Sequence, residues 1–270
     1  MPKLDHVLIT GGAHRLGREL VQAFARAGWH VWCHYGRSFA AASQLQAQLR
    51  AQGLAIDLIG ADLAQQDEVL AMMASIAQAS GGLRAVVNNA SLFEPDSGLD
   101  FDPALLRRQM EVNLVTPLLL GRELAHQRSA ATSGAGSADA CLIHVLDQKV
   151  FNLNPDYFSY TSTKLALERS VALQAQALAP AVRVCGLAPG LIYPSGPQSE
   201  DNFARASGVN LLRRTIAPSD VAASAVFLAQ NRSITGATLC VDNGQHLVPM
   251  ARDVMFAAQA LGKEVSNDDA

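Results

Sequence analysis

"HVLITGGAHRLGREL" runs from His6 to Leu20 and holds the decision about the fold. A short apolar run leads into a glycine-bearing turn, and the turn opens a helical pattern. In "RELVQAFARAG" (18–28), Leu20, Val21, Phe24 and Ala27 share one face. Gly28 then stands where a left-handed C-cap is wanted. Strand, turn and helix in that order make the first half of a βαβ unit, with the helix N-terminus aimed at whatever lies beyond the strand. Gly11, Gly12 and Gly17 suit a tight turn, which any strand-to-helix junction could use. Arg15 is less ordinary, because it occupies a place where a dinucleotide-binding turn would keep a glycine. A guanidinium there brings positive charge beside bound phosphates.

The same alternation continues along the chain. Apolar runs at 30–35, 55–61, 84–90, 141–146, 183–189 and 237–242 join 6–10 as strand candidates. Most are continuous enough in Val, Ile, Leu and Cys to be covered on both faces. Helical patterns separate them. The expectation is an α/β fold: a single Rossmann-type doubly wound domain with a seven-stranded parallel sheet, over residues 1–250. Residues 251–270 read as a C-terminal tail, partly disordered. The Ser/Ala/Gly-rich stretch 129–140 reads as a surface loop. Residues 191–213 are irregular, contain Pro194 and Pro197, and follow a strand end, where such folds hold ligands. They read as a substrate lid.

Composition removes several function classes. A net charge of −3 over 270 residues argues against a nucleic-acid binder, which needs a basic face. The four cysteines, Cys33, Cys141, Cys185 and Cys240, form no CxxC pair, so neither a zinc site nor a disulfide framework is signalled. Seven histidines show no metal-ligand spacing, and no metal is expected. The chain reaches Asp5 before a short apolar run, unlike a secretory leader, and no apolar run is long enough to span a membrane. A soluble, cytoplasmic protein is expected.

The second strand bears on the ligand. It ends "CHYGRS" (33–38), with His34, Arg37 and Ser38 and no acid to accept from a free ribose hydroxyl. Guanidinium, hydroxyl and imidazole donors suit a 2′-phosphate, which points to NADPH; the alternative is a solvated arginine on a loop. Asp62, in "GADLAQ" after the third strand, is placed to accept from an adenine amino group.

"YTSTK" puts Tyr160 and Lys164 four apart, on one face of a helix. A free phenol ionises near pH 10, and acid–base work at neutral pH asks for about three units less, about 4 kcal/mol. One ammonium about 5 Å away supplies about 3 kcal/mol at an effective dielectric near 20. That spacing alone is common. In company it is not: "NNAS" (88–91) follows the fourth strand, "EVN" (111–113) lies in the next helix, and "APG" (188–190) ends the sixth strand.

This ordered set resembles the short-chain dehydrogenase/reductase family over almost the full chain. The resemblance implies a seven-stranded doubly wound sheet, a homotetramer and a nicotinamide cofactor. By position, Tyr160 would be the general acid, and Lys164 would hold the nicotinamide ribose and depress the tyrosine pKa. Asn113 would support a helix kink and a proton-relay water. Leu16, Gly17, Leu63, Asn89, Ala90, Pro189 and Gly190 would join Gly11 along the cofactor channel.

Two departures from the family pattern agree with each other. Arg15 replaces the middle glycine, and the residue thirteen before Tyr160, where relatives keep a catalytic serine, is Asp147. An ionised carboxylate cannot donate to a ketone oxygen and repels a developing alkoxide. It can accept from N–H groups, or deliver a proton if burial raises its pKa. Those substitutions, with "HYGRS" and "NNASLF", resemble the pteridine reductase branch and the bacterial dihydromonapterin reductases. That resemblance implies that Arg15 and Ser91 touch cofactor phosphate and pterin, and that Phe93 stacks the pterin against nicotinamide.

The expected chemistry is hydride transfer from NADPH to a C=N carbon of a dihydropteridine, with Tyr160, Asp147 and Lys164 handling the proton. Two rivals stand beside it: a carbonyl reductase of ketone or 3-oxoacyl substrates, and an NADPH-binding regulator without catalysis. "DNGQHL" (242–247) matches the family ending only roughly, and His246 is assigned no chemistry.

Overall fold

The computed structural model describes residues 4–131, 140–196 and 198–257. Seven strands are present: β1 His6–Ile9, β2 His30–Tyr35, β3 Ile56–Gly60, β4 Ala85–Asn88, β5 Ala140–Val145, β6 Val182–Pro189 and β7 Thr238–Val241. They form one sheet in the order β3-β2-β1-β4-β5-β6-β7. Every neighbouring pair is parallel, with Val7 opposite both Val31 and Ala85. The chain order reverses between β1 and β4, which opens a crevice at the strands' C-terminal ends. The expected α/β fold is therefore the observed one.

Among the described residues the α-helices are α1 Arg15–Arg26, α2 Phe39–Ala51, α3 Gln66–Ser80, α4 Pro103–Met110, α5 Thr116–Ala131, α6 Phe158–Leu178, α7 Glu200–Ala206 and α8 Pro218–Gln230. Side chains alternate along each strand, so β1 sends Val7 and Ile9 to one face and Leu8 to the other. Val7 and Ile9 join Leu20, Phe24 and Val221 from α1 and α8, while Leu8 joins Met73, Leu124 and Leu167 from α3, α5 and α6. Phe24 is completely buried, and that burial stabilises the fold by roughly 2–3 kcal/mol.

Helix α1 starts three residues before the apolar pattern does, and Arg15, Leu16 and Gly17 of its first turn line the crevice. Gly28, at φ 85, follows the Ala27 C-cap as expected. The expected loop at 129–140 falls mostly outside the described residues, and α5 continues to Ala131 before that gap. Within 191–213 the chain forms α7, capped by Ser199, whose side chain accepts from the Asn202 N–H. Residues 251–257, assigned above to the tail, fold back onto the domain and bury Val254 and Met255. Among the described residues, no helix is long and apolar enough to cross a membrane.

His144 on β5 accepts from Asn88 through Nδ1 (3.1 Å) and donates from Nε2 to Gln174 (2.8 Å), so it is held neutral. Burial lowers its pKa to about 4. Unfolded, it would protonate near pH 6.5. Between those values the unfolded chain binds more protons, and stability falls as pH falls, by up to about 3 kcal/mol. Urea unfolding at pH 7 and pH 5 is expected to show about 2 kcal/mol of that loss, and His144→Asn is expected to remove most of it.

Candidate active site

Three adjoining cavities run along the C-terminal edge of the sheet, about 600, 460 and 180 Å³ in volume. The largest begins at Arg37 and Ser38, the middle one crosses the first turn to Lys164, and the smallest ends at Asp253. Another cavity, of about 350 Å³, lies at the opposite strand ends around Arg183. There the guanidinium donates to Leu228, Ala229 and Ile234 carbonyls and so closes the C-terminus of α8.

In the first cavity, Arg37, Ser38, Asp62 and Leu63 line the wall. Asp62 accepts from the Ala64 N–H through Oδ1 (2.9 Å), which leaves Oδ2 to accept from a ligand. The Leu63 carbonyl is taken by Thr116 Oγ1 (2.6 Å). The expectation for His34 needs correction. Its Nδ1 accepts from the Gly11 N–H (3.1 Å) and its Nε2–H donates to the Ala61 carbonyl (3.0 Å). Burial pushes its pKa down, so it has no third position from which to donate to a phosphate. It shapes the turn instead.

The turn itself depends on two glycines. Gly11 adopts φ 63, the left-handed region that side chains disfavour. A Cβ on Gly17 would lie 2.0 Å from the Gly11 carbonyl oxygen. No side chain caps the N-terminus of α1, so its first N–H groups face the cavity near Leu16 and Gly17. Thr10 is a residue that sequence reasoning missed. Its buried hydroxyl accepts from the N–H groups of Asn89 (2.9 Å) and Ala90 (3.0 Å) and locks β1 to the end of β4. The Asn89 amide donates back to the carbonyls of Thr10 (2.9 Å) and Gly11 (3.3 Å). Arg15, at φ 48, donates to the Pro194 carbonyl (2.7 Å) and lies over the Tyr193 ring, so it ties the lid to the first turn.

Asn113 lies in a π-helical turn, Glu111–Val115, between α4 and α5. Its amide donates to the Leu92 carbonyl (2.9 Å) and Thr163 Oγ1 (3.1 Å). Its oxygen accepts from Leu92 N–H (2.8 Å) and Ser91 Oγ (3.3 Å). The helix is π-helical at this residue, and the side chain is saturated, so a relay water could not bond to it. Pro189 ends β6, and the Leu191 N–H just past Gly190 donates to the buried Gln245 side chain (2.8 Å), which fixes the root of the lid.

Tyr160 and Asp147 meet. The phenol donates to Asp147 Oδ2 at 3.0 Å, and Asp147 Oδ1 accepts from the Lys149 N–H at 2.9 Å, capping the short 3₁₀ turn Gln148–Phe151. Burial pushes the Asp147 carboxyl above the usual carboxylate range, against the pull of those two donors. Burial also raises the Tyr160 phenol well above its ordinary value, and the negative Asp147 adds to that. The expected effect of Lys164 is not seen. Its ammonium donates to the Val145 carbonyl (2.7 Å) and sits 5.7 Å from the centre of the Tyr160 ring. Burial lowers its own pKa to about 8. The pair is thus built to retain a proton.

Phe93 stands at the mouth shared by the two smaller cavities. Tyr157 stacks on it at 4.1 Å, and Tyr160 meets it edge-on at 4.6 Å. A flat ligand therefore finds one side of the ring already covered. Lys149, buried to 3% exposure, donates to the Asp156 carbonyl (2.5 Å) and pairs with Asp253 (3.5 Å). Met255 packs on Tyr157 and Tyr160. Sequence reasoning missed Tyr157, Lys149, Asp253 and Met255. The one available signal was "RDVMF" (252–256), an N-cap aspartate ahead of apolar residues.

A family profile described as enoyl-(acyl carrier protein) reductase matches residues 11–246. The dihydromonapterin reductase of Klebsiella pneumoniae subsp. pneumoniae is 28% identical over 244 residues, covering 89% of this chain and 96% of that protein. The crystal structure of FolM alternative dihydrofolate reductase 1 from Brucella canis, complexed with NADP, superposes with a TM-score of 0.85 at 33% identity. It covers 94% of this chain and 98% of that one. The promiscuous reductase LugOII, which catalyses keto-reduction at C1 during lugdunomycin biosynthesis, superposes with a TM-score of 0.78 at 26% identity. It covers 90% of this chain and 98% of that one.

Proposed function

We propose, given that this chain belongs to the short-chain dehydrogenase/reductase family, that it is an NADPH-dependent reductase of a C=N bond in a dihydropteridine. The observation that carries the substrate class is the carboxylate at hydrogen-bond distance from the phenol, Tyr160 Oη to Asp147 Oδ2 at 3.0 Å. The likeness to a dihydromonapterin reductase and to an alternative dihydrofolate reductase crystallised with NADP supports it.

The residues present fit the cofactor. An uncapped helix N-terminus and a turn that a Cβ on Gly17 would block suit a pyrophosphate. Arg37 and Ser38, at the start of α2, would hold the 2′-phosphate, and Asp62 the adenine amino group. Bound there, NADPH supplies a hydride. Lys164 keeps two N–H bonds after donating to Val145 and would orient the ribose. Ser91, Arg15 and Phe93 line the space where the pteridine would lie, with Phe93 covering one face of the ring. Asp147 would accept from a ring N–H. As the ring carbon takes the hydride, the proton held between Tyr160 Oη and Asp147 Oδ2 passes to the neighbouring nitrogen. The enzyme would be a cytoplasmic homotetramer, which analytical ultracentrifugation and cell fractionation check.

Following NADPH absorbance with dihydromonapterin, dihydrobiopterin and dihydrofolate, beside a panel of ketones and enoyl thioesters, tests the assignment. Preferential turnover of the pterins is expected. Preferential turnover of ketones supports the second reading, a carbonyl reductase, which the likeness to LugOII favours. No turnover with any substrate would leave the regulator. Arg37→Ala is expected to raise the KM for NADPH about ten- to hundredfold while leaving that for NADH nearly unchanged, the loss of charge-assisted bonds to one phosphate.

A further inference from the structure

The cavity that holds Asp147 and Tyr160 is closed on its far side by the C-terminal segment, and that segment carries a second carboxylate. Asp253 and Val254 line the 180 Å³ cavity together with Asp147, Lys149 and Tyr160. Asp253 Oδ2 lies 3.5 Å from Lys149 Nζ, and Oδ1 accepts from the Met255 N–H at 3.2 Å. The segment is firmly anchored. Arg252 grips the Asp156 carboxylate at 2.7–3.0 Å, the Asp253 N–H donates to the same carboxylate at 2.7 Å, and Asn202 of α7 donates to the Met255 carbonyl at 3.1 Å. A charge pair that shares this cavity with a proton-holding pair, its Lys149 end buried and its Asp253 end partly exposed, acts on it through space.

We propose that Asp253 is a positioning residue: with the buried Lys149 it governs the pH at which the Asp147–Tyr160 pair gives up its proton. This rests on the reading of that pair as the proton source. The other charged and titratable groups around it are His14 and Arg15 at the start of α1, Tyr157 just before α6 and Lys164 within it, Tyr193 from the lid, and Asp156, whose carbonyl holds Lys149. None of them belongs to the C-terminal segment. Asp253 opposes loss of the proton because it adds negative charge. Lys149 favours loss because it adds positive charge, so the two act in opposite senses while both are present.

The pair therefore predicts opposite signs. Asp253→Asn removes the charge but keeps the N-cap, since asparagine caps as well as aspartate does. The ligand-free protein, labelled with ¹³Cζ-tyrosine, gives signals from four tyrosines, and Tyr160→Phe identifies the relevant one. Its shift follows the ionisation of Asp147 across their hydrogen bond. Asp253→Asn is expected to move the midpoint down by about 0.5–1 pH unit, and Lys149→Gln to move it up by a similar amount. The double variant should return close to the parent. A shift below about 0.2 unit in Asp253→Asn, or a shift of both single variants in one direction, would overturn the proposal. Asp253→Asn decides the matter alone if Lys149→Gln does not fold. Midpoints that split as expected in a protein that reduces no pterin uphold this role and remove the pterin assignment. Coinciding midpoints in a protein that does reduce pterins remove this role alone.

Discussion

Tyr160→Phe is expected to lower kcat for pterin reduction by about a thousandfold, with the KM for NADPH within about twofold of the parent. The size follows from the loss of a positioned proton donor, which contributes about 10²–10⁴ in rate. The change removes one oxygen and little else. The ring keeps its edge contact with Phe93 and its packing on Met255. Stopped-flow measurement of NADPH consumption under single turnover separates the chemical step from binding. Urea unfolding, expected to stay within about 1 kcal/mol of the parent, excludes a general loss of fold. A fall of less than tenfold would mean that the proton comes from elsewhere.

Asp147→Ala is expected to cost about a hundredfold in the same rate and to leave the affinity for NADPH unchanged, because the carboxylate lines the substrate cavities and not the adenosine end. The pH profile gives a sharper readout. Catalysis needs the proton on the pair, so the parent rate is level at low pH and falls as pH rises through the pair's apparent pKa. Burial places that pKa above the ordinary carboxylate range. With Asp147 removed, the limb belongs to Tyr160 alone and moves to strongly alkaline pH. Asp147→Ser, which keeps a cap for the 3₁₀ turn and restores a hydroxyl donor, is expected to exchange pterin turnover for ketone turnover at least tenfold. An Asp147→Ala enzyme with parental rates would remove the carboxylate from the mechanism.

The sheet was legible because its strands are buried on both faces and so appear as unbroken apolar runs, each bounded by turn residues. The catalytic face of α6 was legible from spacing, since residues four apart must share it. What the spacing could not carry was the destination of each polar group. Lys164 lies on the same face as Tyr160, yet its ammonium is held by a carbonyl nineteen residues earlier on β5. His34 ends the second strand like a phosphate ligand, but its two nitrogens are used by backbone on neighbouring segments. The C-terminal wall of the site was read as a tail because its apolar stretch is only a few residues long. Its anchors, Arg252 to Asp156 and Asn202 to Met255, join residues 96 and 53 apart in the chain. Periodicity reports local partners, and the contacts that anchor this part of the site are distant in the chain.

In the proposed reaction a hydride arrives at a pteridine ring carbon next to a nitrogen that receives its proton from the Asp147–Tyr160 pair. Turnover of a dihydropterin with NADPH carrying deuterium at C4, followed by mass and NMR analysis of the product, tests that directly. One deuterium per tetrahydropterin, on a ring carbon and absent from the product of Tyr160→Phe over the same interval, is the predicted result. A pterin recovered without label, while a ketone in the same mixture becomes a deuterated alcohol, would contradict it.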